Sequence, residues 1–297
     1  MSLIMLLCIN SRLSYAELAE KINLSVNAVH KRIQLLIETG VILKFTAKVS
    51  LLSLNAIVVF ISGASQLESL HDLPAKLRAN GSIYWLAQGG DKFVYLGAYL
   101  RNLTELVRLT DFVKKEAGLL NPTVRIMAFD SAQIPGNIKQ TNLTLCDLDH
   151  KIIRSLKDDS RKAISDVATE VGVSTKTVHR RLTRMINNNL IELGLEWYPD
   201  KSNDIITLID LHLKPSADMN TFPYQILRKY TPNTLFYWRL VNFPNLATFT
   251  VWTNTMAELS NLRENLEKEP AIASIECNIL YKGYIFDTWR DKIVEKC

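Results

Sequence analysis

The stretch Val167-Ala168-Thr169-Glu170-Val171-Gly172-Val173-Ser174, which continues to Val178-His179-Arg180-Arg181, decides the fold of this chain. Its counterpart near the N-terminus is Leu18-Ala19-Glu20-Lys21-Ile22-Asn23-Leu24-Ser25, which continues to Val29-His30-Lys31-Arg32. Leu18 and Val167 are 149 residues apart, and so are Val29 and Val178. A constant offset without a gap indicates an internal duplication. We therefore expect both stretches to form the same structure.

Each stretch predicts a short helix, a tight turn and a second helix. The first helices are predicted at Tyr15–Ile22 and Ile164–Val171, where apolar residues recur at helical spacing. They end at Asn23 and Gly172, the two residue types that best tolerate the left-handed conformation that closes a helix. Different residues thus meet the same backbone requirement at the same place, which favours a turn there in both copies.

The second helices begin after a serine, Ser25 or Ser174, whose hydroxyl can accept a hydrogen bond from a free N–H group of the first turn. They are predicted to run to about Thr39 and Asn188. One difference lies before the first helix of each pair. The second copy has Ala163 where the first has Ser14, so that helix needs another cap.

The outward face of each second helix is rich in hydrogen-bond donors, and no acid lies between positions 25 and 37 or between 174 and 186. Such a surface attracts phosphates and guanine edges, so the sequence predicts that both helices bind DNA. The alternative for a three-helix unit of this kind is protein docking without DNA. The predicted DNA-binding residues are Ser25, Asn27, His30, Lys31, Arg32, Ser174, Lys176, Thr177, His179, Arg180, Arg181 and Arg184.

These residues are expected to differ in role. Arg32 and Arg181 are expected to hold phosphate or brace the fold. The candidates for contacts with base edges are Asn27, Lys31, Lys176, Thr177 and Arg180. His30 and His179 occupy matched positions, where a solvated or phosphate-facing histidine is favoured over a pH switch.

After each pair of helices, roughly ninety residues predict the order βαββαβ, which gives an antiparallel sheet with helices on one face. The other face must be covered, so dimerisation or pairing of the two copies is expected. The predicted fold class is α+β, with two winged-helix/helix-turn-helix domains that alternate with two ferredoxin-like domains. The predicted boundaries are 1–46 and 143–196 for the helical domains, 47–133 and 197–297 for the αβ domains, and 134–142 for a polar linker rich in helix breakers.

The chain has 297 residues, of which 47% are hydrophobic and 22% are charged. This composition is typical of a globular protein with hydrophobic cores. The formal net charge of +5 is compatible with a polyanionic partner. Four cysteines without a C-x-x-C pair argue against a zinc site or a disulfide framework and fit the cytoplasm. The apolar start at Leu3–Ile9 has no preceding positive charge and is too short to span a bilayer. We expect no metal, no cofactor and no membrane partner.

The duplicated pattern resembles the Lrp/AsnC (feast/famine) transcription regulators, joined head to tail. The matching elements of the second copy are Leu148-Asp149 with Ile153 and Leu156, Asp159, Arg161, Val167-Ala168, the turn to Ser174, Val178, Arg181-Leu182 and Leu190-Ile191. Those of the first copy are Arg12, Ser14, Leu18-Ala19, Leu24-Ser25, Val29, Arg32-Ile33 and Gly40-Val41-Ile42. The resemblance covers nearly the full length and is most specific in the helix-turn-helix segments. It implies that the αβ domains dimerise, giving a homo-oligomer, and sense amino acids or other small molecules.

The family carries a glycine and then an acid in the hairpin between the central strands. Gly89, Gly90 and Asp91 match this pattern in the first copy, with the acid shifted by one, and the resemblance makes them the effector-binding candidates. The second copy has Asn242-Phe243-Pro244-Asn245, with neither glycine nor acid. Effector binding is therefore expected in the first copy only.

The sequence thus predicts a sequence-specific DNA-binding transcription regulator that a small-molecule effector such as an amino acid modulates, and not an enzyme. One alternative is a fused enzyme like the siroheme decarboxylases, which share this layout. Such an enzyme needs basic or histidine side chains in a cavity between the sheet domains, whereas the basic residues of this chain lie on the second helices. The other alternative is a metabolite-sensing co-regulator that docks on a partner without binding DNA.

Overall fold

The computed structural model describes residues 2–128, 144–198, 201–202 and 204–295. The predicted linker 134–142 lies outside these described residues. The chain divides into two compact units. The first combines Met1–Ala56, Ser131–Lys201 and Asp287–Cys297, and the second combines Ile57–Asp130 and Ser202–Phe286. Within the part of the chain that is described, no helix is both long enough and apolar enough to cross a bilayer.

The first copy begins with three helices and a strand, which are followed by an αβ segment. Its elements are α1 (Ser2–Ile9), α2 (Tyr15–Ile22), α3 (Val26–Glu38), β1 (Ile42–Val49), β2 (Ile57–Ala64), α4 (Leu73–Arg78), β3 (Ile83–Gly89), β4 (Phe93–Leu100), α5 (Thr104–Ala117) and β5 (Thr123–Ile126). After β2, helix α4 begins at Leu73, and Pro74 fits its first turn.

The second copy repeats this order. Its elements are α6 (Asp147–Leu156), α7 (Ile164–Val171), α8 (Thr175–Asn187), β6 (Ile191–Trp197), β7 (Ile205–Leu213), α9 (Phe222–Lys229), β8 (Thr234–Arg239), β9 (Leu246–Thr253), α10 (Met256–Glu267) and β10 (Ile272–Ile285). The α+β class, with two helix-turn-helix parts and antiparallel sheets, is therefore confirmed. Ala163 stands at the N-cap of α7 and forms no side-chain cap hydrogen bond, unlike Ser14 before α2.

In the first unit, the two helical copies have separate cores and share one two-stranded sheet. Leu7, Leu18 and Val29 are buried in the core of the first copy, and Leu156, Val167 and Val178 are buried in that of the second. Strands β1 and β6 pair antiparallel, so that Phe45 lies opposite Leu195. The strand that follows each helix-turn-helix therefore joins the two copies to each other.

In the second unit, eight antiparallel strands form one sheet in the order β5-β2-β4-β3-β10-β7-β9-β8. Each copy supplies four neighbouring strands, and β10 connects them because it pairs with both β3 and β7. The outer strands also meet, since Met127 after β5 forms an antiparallel bridge with Leu240 after β8. The expected pairing of the copies thus takes place within one chain.

The two faces of this sheet have different neighbours. On one face, the helices α4 and α5 pack in a core around Leu86 and Leu96, and α9 and α10 pack in a core around Phe249. The opposite face brings the two copies together, as shown by the ring contact between Phe60 and Trp238, whose centroids are 5.0 Å apart.

Candidate nucleic-acid interface

The turn between α2 and α3 has the predicted geometry. Asn23 closes α2 in the left-handed conformation, with φ 53° and ψ 51°. Two residues later, the Ser25 hydroxyl accepts a hydrogen bond from the backbone N–H of Ala28 at 3.2 Å. The turn in the second copy is equivalent, with Gly172 at φ 75° and Ser174 bonded to the N–H of Thr177. The backbone of both turns is thus fixed by the residues that the sequence singled out.

The outer face of α3 is open to solvent. Asn27, His30, Lys31 and Arg32 are all exposed, and Val29 and Ile33 hold the opposite face of the helix in the core. The ring of His30 also contacts the edge of Tyr15 on α2, with centroids 5.0 Å apart. The structure therefore brings the predicted first-copy residues together on one accessible surface, which we call face 1 and define as Ser25, Asn27, His30, Lys31 and Arg32.

The outer face of α8 is divided between exposed and engaged residues. Ser174, Lys176, His179 and Arg180 are exposed, whereas Thr177 is half-buried, with its hydroxyl 3.0 Å from that of Ser174. We call these five residues face 2. The remaining two candidates of this helix, Arg181 and Arg184, contact Asp149 of α6 instead.

Arg181 and Arg184 converge on a buried carboxylate. Their guanidinium groups lie 3.2 and 3.5 Å from the oxygens of Asp149, whose side chain is 0% exposed. Asp149 also accepts a hydrogen bond from the backbone N–H of Cys146 at 3.0 Å, which caps α6. Burial alone would raise the pKa of Asp149, but the bonds from Cys146 and Arg181 lower it below its ordinary value. These two arginines are thus positioned to brace the second copy.

Arg32, the counterpart of Arg181, has a different environment. It is exposed, and within residues 2–128 and the other described segments no acid forms an ion pair with it. The duplicated arginine therefore braces the fold in the second copy and faces solvent in the first. The sequence left both roles open, and the buried Asp149 decides between them.

We expect Asp149→Asn to destabilise the second copy at neutral pH by about 1.5–3 kcal/mol, the usual value of hydrogen bonds to a charged group. Because the folded-state pKa of Asp149 is lowered, its contribution is present above the unfolded-state pKa and is lost as the pH falls through the folded-state value. The difference in unfolding free energy between the natural chain and the variant, measured by denaturant titration, should therefore shrink toward acid pH. A difference that does not change between pH 7 and pH 3 would contradict this assignment.

Two further arginines, which the sequence analysis did not assign a role, hold the helical copies together. The guanidinium of Arg12 donates to the backbone carbonyls of Ser160 and Lys162. In the same way, the guanidinium of Arg161 donates to the backbone carbonyls of Ser11 and Leu13. Between them, the buried hydroxyls of Ser11 and Ser160 are 2.5 Å apart. Each residue of these contacts has its counterpart 149 residues away, so the contacts occur twice and the copies are related by a pseudo-twofold axis.

Aromatic rings complete this contact. The Arg161 guanidinium lies over the ring of Tyr15 at 5.0 Å and over that of Phe45 at 5.5 Å. Burial and the nearby positive charge of Arg161 lower the pKa of Arg12. The signal in the sequence was the Ser-Arg dipeptide at the same place in both copies. A duplicated dipeptide that lies on a twofold axis meets its own counterpart.

The effector candidates lie at the hairpin between β3 and β4. A Cβ at Gly89 would lie 3.3 Å from the carbonyl oxygen of Ile279 on β10, so the glycine allows this strand to pass closely. Gly90 and Asp91 are exposed, and Asp91 has φ 51° in the left-handed region. In the second copy, Asn242 donates to the carbonyl of Val124 at 2.8 Å, which ties the end of β8 to β5. Effector binding at this hairpin stays a prediction.

The comparisons with known proteins agree with the helical part of the fold. An AsnC-type helix-turn-helix domain matches residues 146–186, and a winged helix-turn-helix DNA-binding domain matches residues 4–42. No curated protein matches the chain in sequence. The two matches lie at the two duplicated segments, and one of them is of the AsnC type, which agrees with the resemblance that the sequence indicated.

Solved structures match at two lengths. The siroheme decarboxylase NirDL is 10% identical, with a TM-score of 0.62, and the match covers 99% of this chain and 96% of that one. AsnC from E. coli is 20% identical over 50% of this chain and 99% of its own, with a TM-score of 0.41. An AsnC family regulator from Agrobacterium tumefaciens is 21% identical over 46% of this chain and 89% of its own, with a TM-score of 0.37.

The NirDL match corrects one conclusion of the sequence analysis. We took the position of the basic residues on α3 and α8 as a reason to predict a protein that is not an enzyme. That prediction is wrong, because an enzyme has this architecture over nearly the whole chain. A cationic helix surface and a sheet that could hold a substrate are separate parts of the fold, so the first gives no information about the second.

Proposed function

We propose that this chain is a DNA-binding transcription regulator in which a single polypeptide supplies the pair of recognition helices. The observation that carries the proposal is the exposure of two acid-free surfaces, face 1 on α3 and face 2 on α8. A helix-turn-helix places the beginning of its second helix in the major groove, and those first turns hold Asn27, Lys31, Lys176 and Arg180. The match of residues 4–42 to a winged helix-turn-helix DNA-binding domain, and of residues 146–186 to an AsnC-type helix-turn-helix domain, supports the same function.

The two faces differ in sequence, so the target is an asymmetric site and not a perfect palindrome. Face 1 presents Asn27 and Lys31, whereas face 2 presents Lys176 and Arg180. Half-sites about one helical turn apart, or a multiple of it, are expected for paired recognition helices. Selection of bound fragments from genomic DNA, followed by a salt titration, tests the proposal. Equal affinity for all sequences, or an affinity that salt does not change, would exclude it.

The different environments of Arg32 and Arg181 give a second prediction. Arg32→Ala should weaken DNA binding and reduce the slope of log K against log salt by roughly one, because one phosphate contact is lost. Arg181→Ala, the matched variant, should leave the slope unchanged, because that guanidinium is committed to Asp149. Instead, it should lower the unfolding temperature. Equal slopes for the two variants would show that Arg32 does not hold phosphate.

A small-molecule effector is part of the proposal, and its candidate site is the hairpin at Gly89, Gly90 and Asp91. The exposed carboxylate of Asp91 at this hairpin supports it, since it can pair with the ammonium group of an amino acid. A thermal-shift screen with the common amino acids tests this step. A stabilising amino acid whose effect persists in Asp91→Asn would place the effector elsewhere.

The full-length likeness to NirDL favours a second candidate function, an enzyme that acts on a siroheme-like tetrapyrrole. The solved complex of NirDL with an iron-uroporphyrin III analogue supplies the probe. Titration of the full chain with this compound should shift its absorption bands if the sheet unit binds it. Absence of a shift at micromolar concentrations would exclude this candidate and leave the DNA proposal untouched. Binding of neither DNA nor tetrapyrrole would favour a co-regulator.

A further inference from the structure

An ion pair joins the two copies on the face of the eight-stranded sheet that lies away from the helices, which we call the enclosed face. Arg125 lies on β5 of the first copy and Asp210 on β7 of the second, and their side chains are 14% and 7% exposed. The guanidinium Nη2 atom lies 2.8 Å from Oδ2 of the carboxylate. These two strands are not neighbours in the sheet order, so the contact is made across the enclosed face.

Hydroxyl groups of both copies complete the cluster. Arg125 donates from Nη1 to the Ser62 hydroxyl at 2.8 Å, and the Thr248 hydroxyl donates to Oδ1 of Asp210 at 2.5 Å. Each charged group is therefore held by one neighbour of its own copy and by one charge of the other copy. The Nε atom of Arg125 is buried without a partner in the described structure. The charge of Arg125 is thus balanced mainly by Asp210.

The copies are not equivalent at these positions. In the sheet ladders, Arg125 lies opposite Phe60, and Asp210 lies opposite Glu276. Strand β2 of the first copy corresponds to β7 of the second, and two alignments of these strands keep matching side chains on the face that packs against the helices. In one alignment Phe60 corresponds to Asp210, and in the other Ser62 does; neither residue is charged. The first copy thus supplies a cation to the enclosed face but no acid at the matching place.

The converse holds for the second copy. The residues at the position of Arg125 are Glu276 in one alignment and Asn278 in the other, and neither is a cation. Two first copies placed face to face would therefore bury Arg125 without an acid, and two second copies would bury Asp210 without a cation. An unpaired buried charge is strongly unfavourable, whereas the observed pair is satisfied.

We propose that this charge asymmetry sets partner choice, so that the sheet face of a first copy accepts a second copy and rejects another first copy. The partner that the first copy accepts is a sheet that presents a carboxylate at the position of Asp210. In the natural chain, the second copy of the same polypeptide meets this requirement. The inference goes beyond the proposed function, because it applies whether the chain binds DNA, a tetrapyrrole or neither.

Charge reversal in the full chain provides the test. Arg125→Asp and Asp210→Arg, each alone, place like charges against each other within one chain. The double variant restores opposite charges. When the two single variants are co-expressed, opposite charges can meet only between the two different chains. The first copy of each chain must then pair with the second copy of the other chain. Size-exclusion chromatography with light scattering then reports the mass against the 33.8 kDa of one chain.

We expect the natural chain and the double variant to elute with the same association state, the single variants to lose stability, and the co-expressed mixture to form a species of twice that mass. Single variants as stable as the natural chain would overturn the proposal. So would a mixture that behaves as the sum of its components while the double variant is stable. If arginine does not fit at position 210, the neutral variants Arg125→Gln and Asp210→Asn, each alone and together, form a double-mutant cycle in place of the charge reversals. Strictly additive effects of these two substitutions on the unfolding free energy would also overturn the proposal.

Discussion

The double variant Lys31→Ala with Arg180→Ala is expected to bind its selected duplex more weakly than the natural chain by about two to four orders of magnitude. Each side chain lies exposed on a separate recognition helix, and the loss of a base contact costs on the order of tenfold to a hundredfold in affinity. The effects should multiply, because the residues lie on different helices without a shared partner. Fluorescence anisotropy at fixed salt concentration measures the change.

The control for this prediction is a matched pair on the sheet unit. Arg108 and Lys115 are exposed on α5, and their joint replacement by alanine also removes one arginine and one lysine, and thus two positive charges. This control should bind the duplex as the natural chain does. A double variant of Lys31 and Arg180 that binds within threefold of the control would show that faces 1 and 2 do not contact the bases.

The second large effect is expected at the pseudo-twofold axis. Arg161→Met should destabilise the first unit by about 2–5 kcal/mol, because it removes two charge-assisted hydrogen bonds to the backbone carbonyls of Ser11 and Leu13. It also removes the contacts with the rings of Tyr15 and Phe45. Arg12→Met should have a comparable effect, since its hydrogen bonds to backbone carbonyls are the same under the twofold relation. Denaturant unfolding measures both.

Arg180→Met serves as the control, because it removes an exposed arginine from α8 without breaking an ion pair of the described structure. It should change the unfolding free energy by less than about 0.5 kcal/mol, as surface substitutions usually do. If Arg161→Met is equally harmless, this guanidinium contributes no stability to the contact between the two helical copies.

The sequence predicted the helix-turn-helix geometry well because short-range backbone rules decide it. Asn23, Gly172, Ser25 and Ser174 each meet a local requirement of a turn or of a helix start, and the structure confirms all four. The predicted bounds Tyr15–Ile22 and Ile164–Val171 agree with α2 and α7 for the same reason. Local pattern carries this information without knowledge of the rest of the chain.

The roles of the arginines were not predictable in this way, because they depend on contacts between distant segments. Arg32 and Arg181 occupy equivalent positions, but only Arg181 meets a buried carboxylate. Arg12 and Arg161 matched the family pattern, yet their function as mutual supports became visible only when the copies were seen together. Similarly, nothing local indicates that Arg125 would reach Asp210, 85 residues later.

The central claim is that one chain places both recognition helices on one duplex. A titration of the selected duplex, at concentrations well above the dissociation constant, measures it most directly. The result should be saturation at one chain per duplex, with affinity lost when either half-site is scrambled. Saturation at two chains per duplex, or affinity unchanged by scrambling one half-site, would contradict the claim.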